Sequence, residues 1–194
     1  MVVINLFGPP SSGKSTVAAG LFFLMKINKM RVELVSEFAK ELVLEGRESI
    51  FGEQNYIFAE QLRRQQRLRG DYDFVVTDSP ILLPLFYELR ETPIENRNPN
   101  FPGLVMKEFE KYENFNYLLK RRHSFETVGR RHDESQSEVI DGELRGFLSA
   151  REVDVLELEA SPRTPEIILA DIRARMGVAN NSLPFDGLDN PEAR

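Results

Sequence analysis

Residues 2–16 have the sequence VVINLFGPPSSGKST. The run Val2–Phe7 is apolar and rich in β-branched residues, which predicts a buried strand. From Lys14 onward, apolar residues recur at helical spacing and predict a helix. Between the two lies the pattern Gly-x-x-x-x-Gly-Lys-Ser, so the stretch predicts a strand, a glycine-containing loop and a helix in direct succession.

This loop has the spacing of a Walker A motif, or P-loop. Glycines let the backbone bend so that amide N–H groups point at phosphate oxygens, and the helix adds its positive dipole end. Lys14 is expected to reach the β and γ phosphates of ATP, and the Ser15 hydroxyl to bind Mg2+. A chance match in a glycine turn is the alternative, and the strand-loop-helix context disfavours it. The predicted ATP-binding residues are Gly8, Pro9, Pro10, Ser11, Ser12, Gly13, Lys14, Ser15 and Thr16.

Strands and helices alternate along the rest of the chain. Further strands are predicted at Arg31–Val35, Phe74–Thr77, Phe115–Leu119 and Val153–Leu158. Helices are predicted from Phe38 to Gly46, from about Glu53 to Arg69, from Ser137 to Arg151 and from about Pro165 to Met176. The Pro- and Asn-rich stretch from Glu91 to Pro102 predicts a long loop that covers or admits a substrate. This alternation predicts a three-layer α/β P-loop NTPase fold with a parallel five-stranded sheet.

Length and composition favour one catalytic domain. The 194 residues, 41% hydrophobic and 29% charged, suit a single globular core, expected over residues 1–177, with a loosely ordered C-terminal tail at 178–194. The absence of cysteine excludes disulfides and thiolate chemistry. No signal peptide or membrane-spanning stretch is recognisable, which predicts a cytoplasmic protein, and nothing in the sequence indicates an oligomer.

The net charge is negative, but the positively charged residues are unevenly distributed along the chain. A net charge of −6 argues against sequence-independent wrapping of nucleic acid, which needs a basic face. Positive charge is nevertheless concentrated in two segments that are both candidates to face phosphates. These segments contain Arg63, Arg64, Arg67 and Arg69, and Lys120, Arg121, Arg122, Arg130 and Arg131.

Two acidic residues directly follow predicted strands. Asp78 stands where a Walker B acid holds Mg2+, and the alternative is a cap for the next helix. Glu37 is a candidate base for the proton of an attacking hydroxyl, and the alternative is a partner of the helix dipole. Gln54 and Gln61, on the helix after Glu37, could read the edge of a base or simply face solvent.

The segment from Lys120 to Arg131 predicts an arginine-rich lid. Its arginines, Arg121 and Arg130 in particular, are candidates to close on the phosphoryl group in transfer and to spread its charge. A solvated basic loop is the alternative.

These motifs together resemble the nucleoside and nucleotide kinase branch of P-loop proteins. The segments Gly8–Thr16, Ser36–Lys40 and Thr77–Pro80, with the Arg121, Phe125, Gly129-Arg130 pattern, are similar to ribosylnicotinamide-kinase-type domains. The layout is also similar to the thymidylate kinase family, although Ser79 stands where that family has arginine. The overall sequence pattern most resembles that of phage kinases that phosphorylate 5-hydroxymethyluracil in DNA. This resemblance would place the protein in the host cytoplasm.

The resemblance implies an ATP- and Mg2+-dependent kinase that phosphorylates a hydroxyl of a nucleoside-type acceptor. Lys14, Ser15 and Asp78 would serve ATP and metal, Glu37 the acceptor hydroxyl, and Arg121 and Arg130 the lid. A base within DNA, giving a 5-phosphomethyl product for thymine hypermodification, is the specific expectation. A free nucleoside or nucleotide, or an ATPase acting on a protein partner, remain the alternatives, and a guanine-reading Asn-Lys-x-Asp motif does not occur.

Overall fold

The computed structural model describes residues 1–120 and 134–177, apart from the side chains of residue 48 and residues 134–138. Five strands lie in this part of the chain: β1 Val2–Phe7, β2 Val32–Val35, β3 Phe74–Thr77, β4 Glu113–Lys120 and β5 Leu156–Glu159. All pair in parallel, in the order β2-β3-β1-β4-β5. The three-layer α/β fold predicted from the sequence is therefore confirmed.

Helices cover both faces of the sheet, as right-handed crossovers between parallel strands require. Their bounds are α1 Lys14–Ile27, α2 Phe38–Leu44, α3 Gln54–Gln66, α4 Leu83–Glu91, α5 Phe101–Phe109, α6 Glu134–Ser149 and α7 Thr164–Arg175. Two short 3-10 helices occupy Glu48–Gly52 and Ile94–Asn96.

The two faces of β1 build two separate cores because side chains alternate along a strand. Val2, Ile4 and Leu6 pack with α1 and α7, while Phe7 packs with α3 to α6. Gly20 permits the close approach of α1 and α7, since a Cβ there would lie 2.8 Å from Cγ of Pro165. The sheet is thus enclosed, and its strand ends are left to carry polar groups.

The stretch from Glu91 to Pro102 differs from the prediction of one long loop. Residues 94–96 form a 3-10 turn, and α5 already begins at Phe101. Arg97 stabilises this turn by donating hydrogen bonds of 2.7 Å to the carbonyl oxygens of Thr92 and Leu89 at the end of α4. The predicted loop is therefore present but shorter, at residues 92–100, and none of these residues lines either of the two cavities described below.

No helix within the described ranges has the length and apolar character needed to cross a bilayer. The expected tail at residues 178–194 and most of the expected lid lie outside the described residues.

Candidate active site

The loop between β1 and α1 adopts a conformation that ordinary side chains disfavour. Gly8 has φ +149° and Gly13 has φ +83°, both in the region that favours glycine. A Cβ on Gly8 would lie 2.5 Å from Oγ of Ser12 and 2.8 Å from the Leu119 carbonyl oxygen. Ser11 also has a positive φ, of 61°. Three of the eight positive-φ residues in the described part of the chain thus lie in the segment that the sequence assigns to phosphate binding.

The N-terminus of α1 is open at this loop. Gly13 occupies the N-cap position and, having no side chain, cannot cap the helix. The Gly13 carbonyl accepts the N–H of Val17. The N–H groups of residues 14–16 lie in the first turn, where an α-helix offers no backbone acceptor. Amide donors and the positive dipole end therefore converge where phosphate oxygens would bind.

Lys14 lies across the mouth of the loop. Its Nζ donates hydrogen bonds of 2.9 Å to the carbonyl oxygens of Gly8 and Pro9. The ammonium group is thereby held over the phosphate cradle. Because a lysine ammonium is a compact charge on a flexible stem, it can exchange such carbonyl contacts for phosphate oxygens.

Asp78 follows β3 and contributes an unpartnered carboxylate oxygen. The side chain is 6% exposed, and its Oδ1 has no hydrogen-bond partner among the described residues. It lines a cavity of about 190 Å³ together with Ser15, Ser36, Glu37 and Lys40, and we name this space the metal cavity. An unsatisfied carboxylate oxygen beside a serine hydroxyl fits Mg2+, which prefers oxygen ligands.

The donor set is small, which also suits Mg2+. Among residues 1–120 and the described side chains after 138, no group of three or more His, Cys, Asp and Glu is arranged to hold a metal. Mg2+ commonly takes one or two protein ligands and completes its shell with phosphates and water. Ser15 and Asp78 match that pattern.

Glu37 stands between two cavities. It is the N-cap residue of α2, with an extended backbone at φ −63° and ψ 118°, and it is half-buried. Glu37 lines the metal cavity and also a second space of about 100 Å³ beside the P-loop. The second space, which we name the acceptor cleft, shares Gly8, Pro10 and Lys14 with the phosphate cradle.

The walls of the acceptor cleft are mostly apolar and come from α2, α3 and α4. Their side chains would contact a ring-shaped ligand, with one amide available for a polar edge. Besides Glu37 and the P-loop residues, the lining consists of Ala39, Lys40, Val43, Phe51, Gln54, Ile57, Ser79, Leu83, Pro84 and Tyr87. Phe51 comes from the 3-10 helix Glu48–Gly52, and Ser79 from the segment after β3. Sequence reasoning missed Phe51 and Tyr87. Leu83 and Tyr87 stand four residues apart, the spacing of one helix face, but that signal does not distinguish a cleft from a core.

The remaining predicted residues differ in where the structure places them. Thr16 is exposed and lines neither cavity. Gln54 is buried and donates a hydrogen bond of 2.8 Å to the Phe51 carbonyl, so it does not face solvent. Arg121 and Arg130 lie outside the described residues.

The first arginine cluster bonds carboxylates. Arg64 donates hydrogen bonds of 2.7 and 2.5 Å to the two oxygens of Glu41, and Arg63 donates to Glu60. The hydrogen bond from Arg64 lowers the pKa of Glu41, since it favours the ionised carboxylate. In this structure Arg63 and Arg64 thus pair with carboxylates, and a role for the cluster in facing phosphates stays a prediction.

The strained loop, the open helix end and the lysine across its mouth define a P-loop nucleotide-binding fold. A family model described as an AAA domain matches residues 3–164, and the chain belongs to that family. A comparison with curated protein sequences finds no match.

Solved structures share the fold at low sequence identity. NadR in complex with NR and NadR in complex with NAD and AMP-PNP each superpose with TM-score 0.70 at 16% identity over 93% of this chain. Deoxyadenosine kinase from M. mycoides with bound dATP superposes with TM-score 0.55 at 15% identity, covering 88% of this chain and 99% of the kinase. The chain spans about half of the NadR chains, at 53% and 51% of their lengths. The chain thus has the fold of P-loop structures that include nucleoside kinases.

Proposed function

We propose that this protein is an ATP-dependent kinase that transfers the γ-phosphoryl group of ATP to a hydroxyl of a nucleoside-type acceptor. The observation that carries the proposal is the shared wall of the phosphate cradle and the acceptor cleft at Gly8, Pro10 and Lys14. A ligand in the cleft would present a hydroxyl next to phosphates in the loop. Such juxtaposition supplies much of phosphoryl-transfer catalysis, since positioning and charge stabilisation dominate it.

Each polar residue has a role in this proposal. Lys14 and the backbone N–H groups of the non-proline residues among 8–16 bind the phosphates, and Ser15 and Asp78 hold Mg2+. When bound, Mg2+ would neutralise charge on the phosphates. Glu37 accepts the proton of the acceptor hydroxyl as the new P–O bond forms and the bond to the leaving ADP oxygen breaks. Arg121 and Arg130 are proposed to spread the charge of the phosphoryl group, and residues 1–177 to form the kinase domain.

The cleft supports a planar acceptor. Phe51, Ile57 and Tyr87 offer apolar and aromatic contacts, while Gln54 offers an amide. The same wall argues for a kinase over an ATPase acting on a protein partner, because hydrolysis alone needs no such cleft. The specific acceptor we propose, on the sequence resemblance, is 5-hydroxymethyluracil within DNA, reached with the base turned out of its stack. The alternative acceptor is a free nucleoside or nucleotide, because two structures of similar fold are NadR in complex with NR and deoxyadenosine kinase with bound dATP.

The test is transfer of label from ATP labelled in its γ phosphate. With Mg2+ present, the protein is offered 5-hydroxymethyluracil DNA, unmodified DNA, and panels of nucleosides and nucleotides. Label in any of these acceptors supports the kinase, and label confined to the hydroxymethylated DNA supports the DNA acceptor. Released phosphate with no labelled acceptor would contradict the kinase and favour the ATPase.

A further inference from the structure

Gln61 of α3 is a buried residue whose amide reaches the ends of two strands. The side chain is 1% exposed. Its Oε1 accepts the N–H of Phe38 at 3.1 Å, and its Nε2 donates to the Ser36 carbonyl oxygen at 3.3 Å. These two backbone groups stand immediately before and after Glu37. The amide therefore holds the backbone on both sides of the proposed base.

The same amide contacts the segment that carries Asp78. Nε2 of Gln61 lies 3.5 Å from Oγ1 of Thr77, a long hydrogen bond. That oxygen also accepts the N–H of Ser79 at 3.1 Å, so the Thr77 hydroxyl fixes the turn that contains Asp78. One side chain thus connects the Glu37 segment with the Asp78 segment.

This link lies where the sheet no longer joins the two segments. The last paired residues of β2 and β3 are Val35 and Thr77. Beyond them, residues 36–37 and 78–79 leave the sheet and carry the two acids into the metal cavity. Sheet pairing alone does not set the relative position of the two carboxylates, and a buried amide with two donors and an acceptor can set it.

We infer that Gln61 is a positioning residue that fixes Glu37 relative to Asp78 for phosphoryl transfer, an inference that rests on the proposed function. Gln61 lines neither the acceptor cleft nor the metal cavity. It acts through the backbone, and reading a base edge, as the sequence suggested for it, was the wrong interpretation.

Gln61→Met tests this, since methionine keeps the approximate volume and removes the amide. The expected result is a fall in kcat on the order of tenfold or more, with KM for ATP changed by less than about twofold. Turnover is expressed per protein molecule that binds ATP, so that a loss of folded protein does not lower the measured kcat. Gln65→Met is the matched control, because Gln65 is also buried, one helical turn further along α3. Its kcat should stay close to that of the unmodified protein.

Gln61→Glu gives a readout that a merely stabilising residue would not. A neutral carboxylic acid still offers one acceptor to Phe38 and one donor to Ser36, whereas the ionised form sets an oxygen against the Ser36 carbonyl. Burial and that carbonyl raise the pKa of the new carboxyl. The ratio of its kcat to that of the unmodified protein should therefore be highest at low pH and fall as pH rises. Glu37, Glu41, Arg64 and Asp78 are present in both proteins, so the ratio removes the pH dependence that these groups contribute equally to both.

The outcomes separate the two proposals. An unmodified protein that labels no acceptor contradicts the proposed function, and the positioning role falls with it. An unmodified protein that labels an acceptor, together with an unchanged kcat in Gln61→Met or a ratio for Gln61→Glu that does not depend on pH, overturns the positioning role and leaves the kinase intact.

Discussion

Two polar regions of the molecule differ in whether their buried hydrogen-bonding groups have partners. In the first, on the side of the sheet covered by α7, the Tyr117 hydroxyl donates to Oδ2 of Asp171 at 2.6 Å, and Nε of Arg175 donates to the same oxygen at 2.8 Å. In the second, at the P-loop, Oδ1 of Asp78 and Oγ of Ser12 are buried without a partner in the described part of the chain.

The backbone shows the same contrast. The P-loop holds three residues with positive φ, Gly8, Ser11 and Gly13. Unpaired buried polar groups and positive φ at residues other than glycine both reduce stability and are common at functional sites. They are not confined to the P-loop here, since Asn5 has an unpartnered oxygen and Lys29 and Glu152 have positive φ. The Tyr117 region stabilises the fold, and the P-loop region is organised for binding. Substitutions in each region test this contrast.

Lys14→Ala should have the largest effect. Loss of the ammonium group removes charge stabilisation from the phosphates, and phosphoryl transfer should fall on the order of 100- to 1000-fold. Thermal unfolding should be unchanged, since the Lys14 ammonium bonds carbonyls of the P-loop and lies outside both apolar cores. Lys107→Ala, on the exposed side of α5, is the control for removing a charge. Transfer that survives in Lys14→Ala would remove the residue from the catalytic machinery.

Asp78→Asn should lower turnover on the order of 100-fold and leave stability equal or higher. An amide binds Mg2+ more weakly than a carboxylate, so more Mg2+ should be needed for half-maximal turnover. Removal of a buried charge with an unpartnered oxygen should change the free energy of unfolding by between zero and about +1 kcal/mol. Magnesium titration of turnover and urea unfolding measure the two effects. Full turnover in Asp78→Asn would remove Asp78 from the magnesium site. The alternative of a helix cap does not apply, since Leu82 is the N-cap residue of α4.

Gly8→Ala and Gly103→Ala form a matched pair. At Gly8 a Cβ would meet Oγ of Ser12 and the Leu119 carbonyl, so a loss of about 2 kcal/mol or more is expected, with weakened ATP binding. At Gly103, inside α5, nothing lies within 4 Å of a Cβ, so a gain of about 0.5–1 kcal/mol is expected. Urea unfolding of both variants gives the comparison. Equal effects would show that the P-loop backbone carries no special constraint.

Tyr117→Phe should have the smallest effect on turnover, which should be unchanged, although stability should fall. Loss of one hydrogen bond to a charged partner costs about 1–3 kcal/mol. Burial, and then the hydrogen bond to Asp171, raise the pKa of Tyr117 in the folded state above its usual value of 10.0. Its contribution to stability is thus complete below pH 10 and is lost as pH rises further, because only the unfolded tyrosine ionises there.

Unfolding measured from pH 8 to 11 should show that alkaline loss in the unmodified protein and less of it in Tyr117→Phe. A change in turnover would contradict the separation of the two regions.

The sequence predicted the order of elements well because periodicity is a local property. The strand at Val2–Phe7 and the helix that begins at Lys14 can each be recognised from neighbouring residues alone, and both predictions are confirmed. It predicted the loop after α4 but not its 3-10 turn, since the hydrogen bonds of Arg97 to the end of α4 cannot be deduced from proline and asparagine content. The hydrogen bond between Arg64 and Glu41 likewise joins two residues that are 23 positions apart in the chain, on α3 and α2.

The sequence by itself determined the parallel α/β sheet, the phosphate-binding loop and the positions of Glu37 and Asp78 after their strands, because strand and loop chemistry are written in consecutive residues. Only the tertiary structure decided that Asp78 shares a cavity with Ser15, that α2, α3 and α4 enclose a cleft, and that Gln61 connects the segments of the two acids. Those facts depend on how helices far apart in the chain pack together, and no local pattern contains that information.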